Sequence, residues 1–144
     1  DAPWGKAVVR RSGTDLTIVT YSKMVLESLA AAKQLAAQGV SAEVIDLRTL
    51  NPLDEETIAA SVRRTHRAMV VTEAPLTGGF SAELSARIHE SCFDHLEEPA
   101  ARVAGEDIPI PVSPPLERHA VPNAQLIAET GLWLTQRKAP AWAS

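Results

Sequence analysis

The sequence predicts an α/β domain, with a mostly parallel sheet covered by helices on both faces. Two observations carry that expectation. The apolar pattern switches repeatedly between compact β-branched runs and helical spacing, as in strands joined by crossover helices. The gap between the first two strand-like runs holds no helical segment, so a parallel crossover does not fit there. The first strand should therefore run antiparallel to the rest.

Ala7-Val8-Val9 is the first apolar run, ended by Arg10-Arg11 and a turn at Ser12-Gly13. Leu16-Thr17-Ile18-Val19-Thr20 is compact and rich in β-branched residues, which suits a strand buried on both faces. Over residues 22–38 the spacing becomes helical, with Val25, Leu29, Ala32 and Leu35 on one face. Gly39 then stands where a left-handed terminator belongs. Residues 40–47 make the next strand, with Ala42, Val44, Ile45 and Leu47 apolar, and Asn51-Pro52 breaks it.

Asp54 is placed to cap a helix that runs to about Arg64. Glu55 and Glu56 suit its positive end and Arg63 and Arg64 its negative end, while Leu53 and Ile58 fall at staple positions. Residues 68–72 form a third buried strand, followed by a turn at Gly78-Gly79 and a helix from Ser81 or its neighbour, carrying Leu84, Ile88 and Cys92. Residues 101–104 make a short last strand. Residues 105–122 carry prolines at 109, 111, 114, 115 and 122 and should be extended or irregular. A final helix over residues 122–137 carries Leu126, Ile127 and Leu134, with Gly131 its weak spot.

A length of 144 residues allows one compact domain. Such a chain buries roughly 68–70% of its unfolded surface, enough for a self-sufficient core. A hydrophobic share of 45% with 22% charged residues is an ordinary globular balance. The net charge of −4 argues against nucleic acid or an anionic membrane as partner. No apolar run approaches the ~18 residues of a membrane span. No signal-peptide pattern opens the chain, and the cytoplasm is the expected location, with the mitochondrial matrix expected for a eukaryotic source. Asp1-Ala2-Pro3-Trp4-Gly5 reads as a linker or a cut site, so residues 1–6 are taken as a remnant joining a preceding domain, 7–138 as the domain and 139–144 as a frayed tail.

Little in the chain announces chemistry. There is no phosphate-cradling glycine loop, no cysteine–histidine metal spacing and no nucleophile elbow. Cys92 is the single cysteine and suits a small buried residue. His89 and His95 flank it without a recognisable orienting group, so a structural role is favoured over thiolate activation. His66 should compensate a helix dipole at the surface. His119 belongs either to a loop hydrogen bond or to an interface. Glu73, followed by the Gly78-Gly79 turn, is the best generic ligand site, because ligands collect at the carboxyl ends of strands in doubly wound folds. A carboxylate that ties down its own loop, or pairs with Arg48, is the favoured alternative. Asp46 and Arg48 read as an ion pair or loop brace.

At Glu43-Val44-Ile45-Asp46-Leu47-Arg48-Thr49-Leu50-Asn51-Pro52-Leu53-Asp54 the chain resembles the transketolase carboxy-terminal domain family, as found in β chains of 2-oxo acid dehydrogenases. Further stretches match in order: Gly5-Lys6-Ala7 with residues 13–21, Ser61-Val62-Arg63-Arg64-Thr65, Val71-Thr72-Glu73 with Gly78-Gly79, and residues 98–103. Asp107-Ile108-Pro109-Ile110-Pro111 with Leu116-Glu117 completes the series. The resemblance runs from Gly5 to about Ile127.

That resemblance implies a three-layer α/β/α domain with a five-stranded mixed sheet whose first strand is antiparallel. It also implies a parent enzyme that decarboxylates pyruvate or a branched-chain 2-oxo acid oxidatively on thiamine diphosphate and magnesium, passing the acyl group to a lipoyl group. The family's pyrophosphate motif and activating glutamate belong to other domains, so no catalytic, cofactor-binding or metal residue is carried over. This stretch alone is expected to be inactive and to bind no cofactor. The implied partners are an α subunit and a second β subunit in an α2β2 tetramer, and the small basic peripheral-subunit-binding domain of a dihydrolipoyl acyltransferase. Glu97 and Glu98, with Asp94 third, are the candidates for that basic partner; a solvated acidic loop is the plainer reading. Acetoin dehydrogenase or transketolase-like chains are the alternative within the family. A free-standing module binding a small anion at residues 73–79 is the alternative outside it.

Overall fold

The computed structural model describes residues 3–105 and 122–136. The motif at residues 107–111, Leu116, Glu117, His119 and the tail at 139–144 lie outside the described residues. Five strands form one mixed sheet: β1 (Val8–Arg11), β2 (Leu16–Thr20), β3 (Ala42–Asp46), β4 (Ala68–Pro75) and β5 (Ala101–Gly105). Their spatial order is β1-β3-β2-β4-β5. The helices are α1 (Met24–Ala37), α2 (Glu55–Thr65), α3 (Phe80–Cys92) and α4 (Ala124–Gln136), and a short 3-10 turn covers Phe93–His95.

The expected antiparallel first strand is present. β1 passes over β3 and pairs along its outer side, with Val8 opposite Asp46 and Val9 opposite Ile45. The pairs β2–β3, β2–β4 and β4–β5 are all parallel. Side chains alternate across the sheet and divide the core in two. Leu16, Ile18, Val44, Met69 and Val71 face α1 and α4. Val19, Ile45, Ala68 and Val70 face α2 and α3. Each fully buried Leu, Ile or Val contributes about 1.5–3 kcal/mol, so both faces are needed.

Local signals mostly act where the residues place them. Asp54 caps α2 by accepting from Thr57 N at 3.2 Å and Thr57 Oγ1 at 2.6 Å. Leu53 and Ile58 join the same apolar cluster, as a staple requires. Gly39, at φ +81°, ends α1 with Gly39 N donating to Ala36 O and Val40 N to Leu35 O, the paired bonds of a Schellman cap.

Three details differ from the pattern-based expectation. The buried stripe of α1 is Met24, Ser28, Ala31, Ala32 and Leu35, so Val25 and Leu29 lie at its margin. A serine on the apolar side and two alanines blurred the period. Strand β4 extends to Pro75 rather than stopping at Thr72, because β5 continues beside it and Leu76 N reaches Gly105 O at 2.9 Å. Gly131 is a packing point: a Cβ there would lie 2.9 Å from Leu35 Cδ1 and 3.2 Å from Leu16 Cδ2.

Candidate functional site

Residues β2 and β4 lie side by side, and the chain leaves them toward opposite edges of the sheet. Their carboxyl ends mark the switch point where ligands gather in folds of this class. Tyr21 follows β2 there, and Glu73 stands exposed in the outer part of β4. Burial, and then the Glu73 charge, push the Tyr21 phenol above its ordinary value. Ser22 (φ +58°) and Arg48 (φ +63°) hold left-handed conformations just past β2 and β3.

The turn glycines are explained by the backbone they serve. Gly78 has φ +74°, and a Cβ on Gly79 would come within 2.1 Å of Pro75 O. A shallow hollow beside them is lined by Gly78, Gly79, Phe80, Ala82, Glu83 and Arg87. Arg87, the one cation in that lining, is bound to Glu83 at 2.7 Å and to Glu55 at 3.5 Å. Its charge is therefore already matched, and Glu83 adds a negative wall unsuited to an anion.

Asp46 forms an ion pair with Arg10 of β1 at 3.0 Å. The antiparallel pairing of β1 brings that guanidinium alongside, a neighbour invisible in linear spacing. The loop-brace part of the expectation is present, since Asp46 Oδ1 accepts from Arg48 N at 3.1 Å.

The acidic segment after α3 is held in place from α2. Glu97 carries an ion pair to Arg67 at 2.6 Å, and its backbone N–H donates to His66 O at 2.9 Å. His66 sits in a left-handed cap at the end of α2, and its Nδ1 lies 2.8 Å from His95 O. The His66 and His95 rings stack with centroids 6.4 Å apart. Asp94 is exposed and Glu98 half-buried. Phe93, on the same turn, is 72% exposed. This acidic and aromatic ridge is the most distinctive surface feature near the predicted residues.

His89 and Cys92 do not meet as a reactive pair. Cys92 is fully buried, with Sγ 3.8 Å from Ala59 O. His89 bridges Ser85 O, at 2.7 Å from Nδ1, and Ala100 N, at 3.3 Å from Nε2. Among the described residues no group of His, Cys, Asp and Glu is placed to hold a metal ion, and no helix is long and apolar enough to cross a membrane.

Sequence reasoning missed a buried polar network centred on Glu43. Its carboxylate accepts from Gly13 N at 3.1 Å, from Ser61 Oγ at 2.7 Å and from the Arg64 guanidinium. Thr17 Oγ1 lies 2.7 Å from both Ser61 Oγ and Thr65 Oγ1. Burial pushes the Glu43 carboxyl up, but the bonds from Ser61, Gly13 and Arg64 outweigh it and leave its pKa lowered. The available signal was a lone Glu in an apolar strand, with serine and arginine three residues apart on the following helix.

The arrangement defines a class: a doubly wound three-layer α/β/α domain whose buried acidic residues, Glu43, Asp46 and Asp54, brace loops and helices. Residues 5–127 match the family described as "Transketolase, C-terminal domain", and the chain belongs to that family. It is 49% identical over 123 residues to "Pyruvate dehydrogenase E1 component subunit beta-1, mitochondrial" of Arabidopsis thaliana, covering 85% of this chain and 34% of that one. It is also 49% identical over 126 residues to "Pyruvate dehydrogenase E1 component subunit beta" of Bacillus subtilis (strain 168), covering 88% and 38%. Among solved structures, "Split gene transketolase, inactive beta4 tetramer" superposes with a TM-score of 0.74 at 27% identity, covering 92% of this chain and 42% of that one. The chain thus spans between a third and two fifths of the length of these curated relatives.

Proposed function

We propose that this chain serves as the carboxy-terminal assembly domain of a β subunit in a thiamine-diphosphate-dependent 2-oxo acid dehydrogenase, with pyruvate the favoured substrate of the whole enzyme. The observation that carries the reading is the near-half identity to pyruvate dehydrogenase β subunits across most of this chain. Oxidative decarboxylation on thiamine diphosphate and magnesium, and acyl transfer to a lipoyl group, would then be supplied by domains outside these residues. A branched-chain substrate is the variant that the same domain would equally serve.

The use made of the polar side chains supports a scaffold. Asp46, Asp54, Glu43, His66 and His89 each bond a backbone group of another element or its flanking loop. The partners proposed are an α subunit and a second β subunit, together with the basic peripheral-subunit-binding domain of an acyltransferase. For the last, Asp94, Glu97 and Glu98 provide the charge and exposed Phe93 an apolar anchor beside it. A bacterial source places the chain in the cytoplasm and a eukaryotic one in the mitochondrial matrix.

Titration calorimetry of the chain against the isolated acyltransferase domain tests the docking. Binding that weakens steeply with salt is expected. No binding at low ionic strength sinks the docking role, and failure to co-elute with an α subunit sinks the assembly role.

A further inference from the structure

His89 has both ring nitrogens engaged, and their partners dictate its form. Ser85 O can only accept, so Nδ1, at 2.7 Å, carries the proton. Ser85 Oγ lies 3.4 Å from the same nitrogen. Nε2 accepts from the Ala100 N–H at 3.3 Å, which it can do only while the ring is neutral. A proton on Nε2 would set two donors face to face. The bond at stake ties α3 to the residue immediately ahead of β5.

We propose that His89 is a proton-operated latch on the acidic segment: closed when neutral, and released from α3 when protonated. The far side of that segment is fixed independently, by Glu97 N on His66 O and by the Arg67–Glu97 ion pair. Release therefore acts at Ala100, the end of the segment next to β5. As regulation of docking, the latch rests on the acyltransferase reading above; as a structural device it does not.

Charged residues stand on the helix that carries His89 and on elements packed against it. Its own helix carries Glu83, Arg87 and Glu90, and α2 contributes Glu55, joined to Arg87 at 3.5 Å. The 3-10 turn brings Asp94 and His95, and the connecting segment brings Glu98. On β5, Arg102 donates to Leu76 O at 3.2 Å and to Ser81 Oγ at 3.5 Å.

Long-range proton–nitrogen NMR of the histidine rings, with amide exchange of Ala100, tests the latch between about pH 8 and pH 5. The Nδ1–H tautomer is expected for His89 at the upper end. The Ala100 protection factor, corrected for intrinsic exchange, should fall roughly three- to tenfold as the ring gains its proton. In His89→Gln, whose carbonyl can still accept, that pH dependence should vanish; in His89→Phe, protection should be low throughout. An Nε2–H tautomer, or Ala100 protection that ignores the His89 titration, overturns the latch. Acyltransferase-domain affinity measured over the same range separates the two ideas. Docking absent at every pH removes the docking reading alone, and docking that persists without any pH response removes the regulatory role alone.

Discussion

Ser61 Oγ donates to Glu43 Oε2 across 2.7 Å, joining helix α2 to strand β3 beneath the surface. A carboxylate only accepts, so the direction of the Ser61 end of the hydroxyl chain follows. Ser61 spends its proton on Glu43, so Thr17 donates to Ser61, while Thr65 donates to Arg67 O at 3.1 Å and lies 2.7 Å from Thr17 Oγ1. Glu43 is 4% exposed, and its three donors come from the β1–β2 turn and α2. This single carboxylate therefore orders one end of the α2 face.

Glu43→Gln should destabilise the domain by about 2–3 kcal/mol at neutral pH, since hydrogen bonds to a charged group are lost and an amide NH2 meets donors. Urea unfolding checks the value. A change below about 0.5 kcal/mol would show that the network contributes only shape.

The same carboxylate sets an acid limit. Glu43 and Asp54 both titrate below their ordinary values in the folded chain: burial raises each, but the bonds from Ser61, Gly13 and Arg64, and from Thr57 and Ala7, prevail. A depressed folded pKa contributes stability that is fully present above the unfolded value and is lost as pH falls through the folded one. Thermal midpoints should therefore drop as the pH falls below about 5. The drop should be shallower in Glu43→Gln and shallower again in the double variant with Asp54→Asn.

Gly13→Ala should cost at least ~3 kcal/mol, because its Cβ has nowhere to go. The added carbon would lie 2.2 Å from Ala42 C and 2.4 Å from Glu43 N, both rigid backbone. Gly131→Ala, facing the flexible ends of Leu35 and Leu16, should cost clearly less, because ~1 kcal/mol of helix propensity offsets the crowding. Equal losses at the two sites would contradict this packing picture.

The layers and the reversed first strand were legible because they rest on local period and on connection length. Asp54 was legible for the same reason, since its cap partner Thr57 lies three residues away. Glu43 was not, because its donors Gly13, Ser61 and Arg64 converge only after β1, β3 and α2 are assembled. Asp46 shows the same limit: its brace to the Arg48 backbone lies two residues away and was legible, while its ion pair to Arg10 is supplied by pairing across β1. Glu73 lies within β4, which runs on to Pro75, and Gly78 and Gly79 answer to backbone geometry. The acidic segment was read as charge alone, and its anchoring by Arg67 and His66 needed the fold.

Charge reversal on the acidic ridge should weaken docking more than folding. Glu98→Lys with Asp94→Lys is expected to reduce affinity for the basic acyltransferase domain by about tenfold or more at low salt, mainly through association rate. Glu97→Lys also breaks the Arg67 pair, an exposed contact that contributes only ~0–1 kcal/mol. Surface-plasmon kinetics at two ionic strengths read the difference. Unchanged, salt-insensitive affinity removes these residues from the interface.

The assertion beneath all of this is that these residues position neighbours and contribute no reactive centre of their own. Carbon dioxide release from pyruvate by the purified chain, supplied with thiamine diphosphate and magnesium, tests it most directly. The account predicts release indistinguishable from the cofactor without protein. Sustained turnover by the chain alone would contradict it.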